Sequence, residues 1–213
     1  MQDTRIRGVE GAGSLQGARA KQLPGDKAAR IVEAMRISVA ARGIAGATFD
    51  HVAREAGVSR GLLHYYFATK ERLLVEVVRR ETDLRIERLE HALAGASTPD
   101  EVLASLVASF EEFLGEGPTP QVMFYEMATL AQRNAEIAAE LAELGRRTRG
   151  HLADALQARG TAGVLHLRAD AYDIATFLFA LADGLMIRRL VEPGFDIEPV
   201  IERAVAAARA LLS

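Results

Sequence analysis

Apolar residues recur at helical spacing along nearly the whole chain from Asp26 onward. They return every three or four residues, which is the period of an α-helix with one buried face. No segment alternates apolar and polar residues over the length of a strand, and Ala, Leu, Glu and Arg dominate. The pattern therefore predicts an all-α protein.

Capping residues and glycines divide this pattern into about nine helices. Ser, Thr and Asp favour the start of a helix, and Gly favours its end. Residues 1–24 contain four glycines and no apolar period, so they are predicted to form a flexible tail. The predicted helices span residues 26–42, 48–56, 59–67, 70–93, 99–114, 120–133, 135–159, 169–191 and 196–212.

Two of the short helices are joined by the turn Gly57-Val58-Ser59. A glycine there can take a left-handed conformation and reverse the chain sharply, while Ser59 can cap the second helix. Thr48 can cap the first helix in the same way. This arrangement predicts a helix-turn-helix, whose second helix has the size to enter a DNA major groove.

The second helix of this pair has an apolar side and a polar side. Leu63 and Phe67 are four residues apart and are predicted to anchor it, whereas Arg60 can donate two hydrogen bonds to a guanine edge. Gly61 would let the helix backbone approach DNA closely. Further donors that can reach phosphates belong to His64, Tyr66 and Lys70. An αα-hairpin that uses its aromatic residues only for packing has a similar pattern, so the residues alone leave both interpretations open.

The run from Thr48 to Leu74 resembles the DNA-binding domain of the TetR family of transcriptional regulators. Every spacing of the family pattern is kept. The matching residues are Thr48, Val52-Ala53, Ala56 to Ser59, Gly61, Leu63, Tyr66-Phe67, Lys70 and Leu73-Leu74. One departure is His64, which stands where the family usually has tyrosine, so a tyrosine contact does not carry over there.

The resemblance implies two kinds of DNA contact. Thr48 and Lys70 would bind phosphates at the starts of two helices, and Arg60, Gly61 and Tyr65 would face bases. It also implies a DNA-binding domain over residues 25–72 and an effector-binding and dimerisation domain over residues 73–213. The full predicted DNA-binding set is Thr48, Ser59, Arg60, Gly61, His64, Tyr65, Tyr66 and Lys70.

The last two predicted helices favour a homodimer. The helix over 169–191 is apolar on more than one side, and the helix over 196–212 carries one wide apolar stripe. Two such pairs could form a four-helix interface around a two-fold axis. The alternative is the core of a large monomeric bundle. Two stretches of the later helices, residues 121–141 and 174–194, resemble the subgroup that includes the betaine-responsive repressor.

A small-molecule effector site is predicted inside the bundle of middle helices. Ordinary core packing is the alternative role for each candidate residue. The effector is not identified, although an apolar or aromatic molecule suits the residue types better than a sugar. The candidate wall residues are Phe110, Met123, Phe124, Met127, Phe177 and Leu181.

Composition and charge narrow the function further. The chain contains no cysteine, so disulfides, thiolate catalysis and cysteine-bound metals are excluded. No catalytic or metal-binding motif occurs among its five histidines, and no catalytic residue, metal or cofactor is predicted. No run of 18 apolar residues occurs, so we expect a cytoplasmic protein without a membrane span.

The charge distribution agrees with a nucleic-acid partner. Residues 1–80 contain 14 basic and 8 acidic residues, whereas residues 81–213 contain 12 basic and 21 acidic residues. A basic first part suits a polyanion such as double-stranded DNA. The sequence therefore predicts a ligand-responsive repressor that binds a palindromic operator as a homodimer. The alternative is a helical protein–protein adaptor with a purely structural helix-turn-helix.

Overall fold

The computed structural model describes residues 25–115, 118–192 and 194–213, and all regular elements in these ranges are α-helices. The predicted all-α class is confirmed. The predicted tail over residues 1–24 lies outside the described residues. The helices are α1 Gly25–Gly46, α2 Phe49–Ala56, α3 Arg60–Phe67, α4 Lys70–Gly95, α5 Pro99–Gly115, α6 Pro118–Ala131, α7 Ala135–Thr161, α8 Ala171–Val191 and α9 Glu198–Leu212.

The first helix differs most from the sequence prediction. Gly43 was predicted to end it, but α1 continues to Gly46 across a kink where Gly43 has φ 68° and ψ 169°. Asp26 lies in the first turn of α1, since the helix begins one residue earlier than predicted. The glycine thus interrupts the helix where the pattern stops, and a further turn follows before α2.

Local side-chain caps fix the helix-turn-helix. The hydroxyl of Thr48 accepts a hydrogen bond from the His51 amide at 3.3 Å, and that of Ser59 accepts one from the Leu62 amide at 3.2 Å. Gly57 ends α2 in the left-handed region, with φ 64° and ψ 39°. These three positions are the ones that the sequence predicted, and each satisfies backbone groups that a helix end leaves unpaired.

Two apolar cores lie along the molecule. The first fills the space among α1, α2, α3 and the start of α4, and the second lies among α4, α5, α7, α8 and α9. Met127 of α6 and Ile137 of α7 belong to the first core, although both lie far beyond residue 72 in the chain. Residues 25–72, hereafter the head, therefore share this core with α6 and α7, and α1 contacts α6. The domain boundary at residue 72 stays a prediction.

Helix α4 also pairs with α7 through a series of charged residues. Arg79 binds Glu140, Asp83 binds Arg147, and Glu90 lies 2.7 Å from a ring nitrogen of His151. Surface ion pairs individually contribute little to stability. Because these pairs are distributed along α4, they nevertheless show that one face of that helix lies against α7 for several turns.

Candidate nucleic-acid interface and ligand cavity

Helix α3 exposes one side and buries the other. Leu63 and Phe67 are buried in the first core, as the sequence predicted. Arg60 and Gly61 are exposed, and Tyr65 is 60% exposed. The side of α3 that was predicted to face bases is therefore open to a partner.

The other predicted DNA-binding residues lie around this exposed side. Tyr66 is half-buried against the first core, and its ring meets that of Tyr65 edge-on at 5.0 Å. Ser59 is exposed at the start of α3. A shallow concavity of about 470 Å³ brings together four of the predicted residues, Thr48, Arg60, His64 and Lys70, and it is also lined by Asp50 and Thr69.

Lys70 is held in place by the end of α1. Its ammonium nitrogen lies 2.9 Å from the carbonyl oxygen of Ile44, to which it donates a hydrogen bond. An ammonium group has three donors, so two remain for phosphate oxygens. Thr69, which the sequence analysis did not single out, caps α4 by accepting from the Arg72 amide at 3.3 Å. A positive side chain at a capped helix start suits an anion.

Arg60 is engaged by two neighbours within the head. Its Nη1 donates to both carboxylate oxygens of Asp50, at 3.1 and 3.3 Å. Its Nε lies 3.3 Å from Nε2 of His64. The predicted base-reading side chain is therefore not extended freely into solvent, and Asp50 is a member of this surface that sequence reasoning missed.

A second site is a cavity of about 710 Å³ among the middle helices. Its walls come from α4, α5, α6, α7, α8 and α9. Of the predicted effector residues, Phe110, Met123, Phe124 and Leu181 line it. Met127 lies instead in the first core, and Phe177 lies on the outer face of α8, where it is 43% exposed.

The cavity is mainly apolar, but Asp183 brings a carboxyl group to its wall. Within the described ranges this carboxylate has no ion-pair partner within 4 Å. Burial raises the pKa of Asp183, and the positive charge of Arg149 partly opposes that effect. The Tyr125 hydroxyl donates to the backbone carbonyl of Asp183 at 2.9 Å. Asp183 was visible in the sequence only as an interruption of an apolar stretch.

Arg149 is oriented by an aromatic neighbour. Its Nε donates to the hydroxyl of Tyr172 at 3.2 Å, and its guanidinium lies 5.6 Å from the centre of that ring. Arg149 also lines the cavity. The polar part of the wall thus contains the Asp183 carboxylate, which has no ion-pair partner within 4 Å in the described ranges, and the Arg149 guanidinium, which is hydrogen-bonded to Tyr172.

The outer face of α8 is apolar and exposed. Phe177, Ile187 and Val191 are all large exposed apolar residues, and Val191 reaches 62%. Gly184 lies on the same face, seven residues after Phe177, and a Cβ built there would meet nothing within 4 Å. This face, hereafter the α8 face, can therefore be approached closely.

Both the helix-turn-helix region and the region that contains the cavity match known protein families. Residues 31–77 match the family described as bacterial regulatory proteins, tetR family, and residues 97–213 match the tetracyclin repressor-like C-terminal domain. The chain belongs to the TetR family. The HTH-type transcriptional regulator BetI of Agrobacterium fabrum is 34% identical over 203 residues, which cover 85% of this chain and 94% of that protein. The BetI of Rhizobium meliloti is 33% identical over 162 residues, or 75% of each.

Solved structures of TetR-family and related regulators share the fold. A putative TetR-family regulator from Rhodococcus sp. has a TM-score of 0.73 at 24% identity and covers 89% of this chain and all of its own. A putative regulator from Saccharomonospora viridis, in complex with choline, has a TM-score of 0.68 at 24% identity. The match covers 89% of this chain and 98% of that regulator. FadR from Bacillus subtilis, in complex with stearoyl-CoA, has a TM-score of 0.67 at 19% identity. The match covers 87% of this chain and 99% of FadR.

Membership of the TetR family confirms the predicted function class. The protein is a DNA-binding transcriptional regulator and not an enzyme. In the described part of the chain, no helix is long and apolar enough to cross a membrane, and no group of three or more His, Asp or Glu residues could hold a metal. The individual roles of the DNA-binding and effector residues stay predictions.

Gly61→Ala is expected to weaken DNA binding about tenfold without destabilising the TetR-family head. A Cβ at Gly61 would meet only the Ser59 hydroxyl, at 4.0 Å, so the fold has room for it. Alanine in a helix is more stable than glycine by about 0.5–1 kcal/mol. Thermal unfolding and fluorescence anisotropy would measure the two effects. Gly150→Ala in α7, which also has open space, should stabilise the helix and leave DNA binding unchanged.

Proposed function

We propose that this TetR-family regulator is a repressor that binds a palindromic operator as a homodimer and leaves it when a small molecule fills the cavity. The observation that carries this proposal is the course of α4. This helix begins at Lys70 on the head and continues to Leu89 on the cavity wall. A helix of 26 residues spans about 39 Å. One rigid element therefore connects the two sites.

Ligand binding can act on DNA binding through that helix. Side chains of α4 from Val78 to Leu89 line the cavity, so a ligand that favours one position of α4 also favours one position of the head. A ligand shifts such an equilibrium only by its difference in affinity for the two states. Release from DNA follows when the favoured position no longer fits two heads to successive major-groove faces.

The head supplies two classes of DNA contact in this proposal. Thr48 and Lys70 bind phosphates, because they stand at the starts of α2 and α4. Arg60, Gly61 and Tyr65 face base edges from the exposed side of α3. Ser59, Tyr66 and His64 support the same surface, His64 through its contact with Arg60.

The homodimer forms through α8 and α9 of each subunit. The α8 face supports this assignment because a row of large apolar side chains is otherwise exposed to water. An interface with the same patch on both subunits has two-fold symmetry. Two heads related by that symmetry require an operator with two inverted half-sites. Such a regulator acts where the genomic DNA is, in the cytoplasm.

The effector is an apolar molecule that carries a positive charge. Asp183 supports this class, because a carboxylate without an ion-pair partner on an apolar wall attracts a cation, and aromatic residues such as Phe110 and Phe124 favour one further. The similarity to the choline complex from Saccharomonospora viridis agrees with it. A cavity of about 710 Å³ has the size of sites for larger, drug-sized ligands.

Asp183→Asn is expected to lower affinity for a cationic probe at least about tenfold, because a charge-assisted contact is lost. The probes are (4-phenylbutyl)trimethylammonium and its neutral isostere with carbon in place of nitrogen, and calorimetry measures both. Affinity for the neutral isostere should not change. Asp154→Asn, which removes an exposed carboxylate of α7 outside the cavity, is the matched control. Equal loss for both probes would contradict a counter-ion role.

The same site has a defined pH dependence. Burial raises the pKa of Asp183, so this carboxyl gains its proton at a higher pH than an ordinary one as the solution is acidified. Affinity of the wild-type protein for the cationic probe should therefore fall as the pH is lowered through that raised pKa. The Asp183→Asn variant should lack this fall.

The proposed repressor function is tested with DNA from the region upstream of the chain's own gene. Fluorescence anisotropy at two salt concentrations compares this duplex with a random duplex of equal length. We expect tighter binding to the upstream duplex, with affinity that falls as salt rises. Absence of binding to any duplex at low salt would favour the protein–protein adaptor instead.

A further inference from the structure

Asp50 places a negative charge on a surface that would meet phosphates. It lies in the first turn of α2, two residues after Thr48, and its side chain is exposed. A carboxylate in the first turn stabilises a helix, which is one reason for its presence. Its two oxygens, however, both point to Nη1 of Arg60, ten residues further along the chain. The stabilisation of α2 does not explain this ion pair with Arg60, which requires a separate explanation.

His64 holds the other side of the same guanidinium. Nε of Arg60 donates to Nε2 of His64 at 3.3 Å, and Nδ1 of His64 lies 3.4 Å from the Ala68 carbonyl oxygen. Both contacts require one neutral tautomer, with the proton on Nδ1. The ring is also fixed by Phe49, which it meets edge-on at 4.8 Å. Arg60 is thus held between α2 and α3 by groups that are themselves positioned.

We propose that Asp50 is a specificity-determining residue, which occupies Arg60 until a guanine edge replaces it; this inference rests on the proposed operator-binding function. Asp50 offers the guanidinium a pair of acceptor oxygens, and a guanine edge offers a similar pair in O6 and N7. An exposed ion pair contributes little to stability, so this exchange is inexpensive at a cognate base pair.

At a non-cognate site the exchange is unfavourable. No second pair of acceptors replaces Asp50 there, so Arg60 remains with the carboxylate and adds little attraction to the phosphates. The carboxylate itself also repels the DNA backbone. Asp50 therefore weakens binding to random DNA more than binding to the operator, which increases the difference between the two affinities.

The test compares Asp50→Asn with wild type as full-length protein. The operator is first selected by the wild-type protein from a random duplex library, and a random 30-base-pair duplex serves as the second probe. We expect affinity for random DNA to rise five- to tenfold and operator affinity to stay within twofold. The salt dependence on random DNA should steepen by about one phosphate contact. Asp50→Ser should behave in the same way, and thermal unfolding verifies that both variants fold.

Two controls separate this role from a general charge effect. Glu55→Gln removes one negative charge from an exposed position of the same helix and should leave the ratio of the two affinities unchanged. In an Arg60→Ala background, Asp50→Asn should no longer alter that ratio, since the side chain that it controls is absent.

The outcomes distinguish the inference from the function on which it rests. If the wild-type protein selects no sequence, the proposed function and the inference both fail. If it selects an operator and Asp50→Asn leaves the affinity ratio unchanged, only the inference is overturned. Equal losses on both DNAs would assign Asp50 to the stability of α2 alone and would also overturn it.

Discussion

Phe177→Glu is expected to convert the proposed dimer to a monomer and to lower operator affinity at least about 100-fold. The phenyl ring lies on the α8 face, where it is 43% exposed in a single subunit, and a carboxylate there would be buried without a partner in the dimer. One head then binds one half-site without the gain from a linked second head, which commonly amounts to a factor of about 10² or more.

Sedimentation velocity and operator anisotropy would measure these two effects. Leu84→Glu is the matched control, because Leu84 is also a large exposed apolar residue, at 49%, but lies on α4. The control should remain a dimer with normal operator affinity. A Phe177→Glu variant that still sediments as a dimer would show that the α8 face is not the interface.

Lys70→Ala is expected to weaken binding to operator and random DNA alike, by about tenfold, and to reduce the salt dependence by about one phosphate contact. The substitution removes an ammonium group that faces the concavity between α2 and α4. It also removes the hydrogen bond to the Ile44 carbonyl at 2.9 Å, so the head should lose about 1–3 kcal/mol of stability.

Two further variants separate these contributions. Lys70→Arg keeps the charge and the donors and should retain most of the affinity for both DNAs. Arg203→Ala removes one positive charge from α9, far from the head in the chain, and should change neither affinity. If Lys70→Ala weakened operator binding alone, Lys70 would read bases and not phosphates.

The helix-turn-helix was predictable because its signals are local. Thr48, Gly57 and Ser59 each act on backbone groups within a few residues, so both partners of each capping interaction lie close together in the sequence. The partners of Arg60 could not be predicted without the tertiary structure. Asp50 is ten residues away and on another helix, and no periodic pattern relates it to Arg60.

Apolar periodicity identifies a buried side but not the neighbour that covers it. Met123 and Met127 are one turn apart on α6 and look equivalent in the sequence. In the structure both belong to the first core, but only Met123 also lines the cavity. Phe177 and Leu181 diverge in the same way on α8, because that helix is apolar on several sides and meets more than one environment.

The core that Met127 and Ile137 share with the head has a consequence for hybrid regulators. If residues 25–72 were exchanged for the head of another regulator, these two side chains would lie in a core whose remaining residues come partly from a different protein. A void or an overlap there commonly costs about 1–3 kcal/mol. A working chimera therefore needs its α6 and α7 contact positions taken from the donor of the head, even though they lie more than 50 residues downstream of the junction.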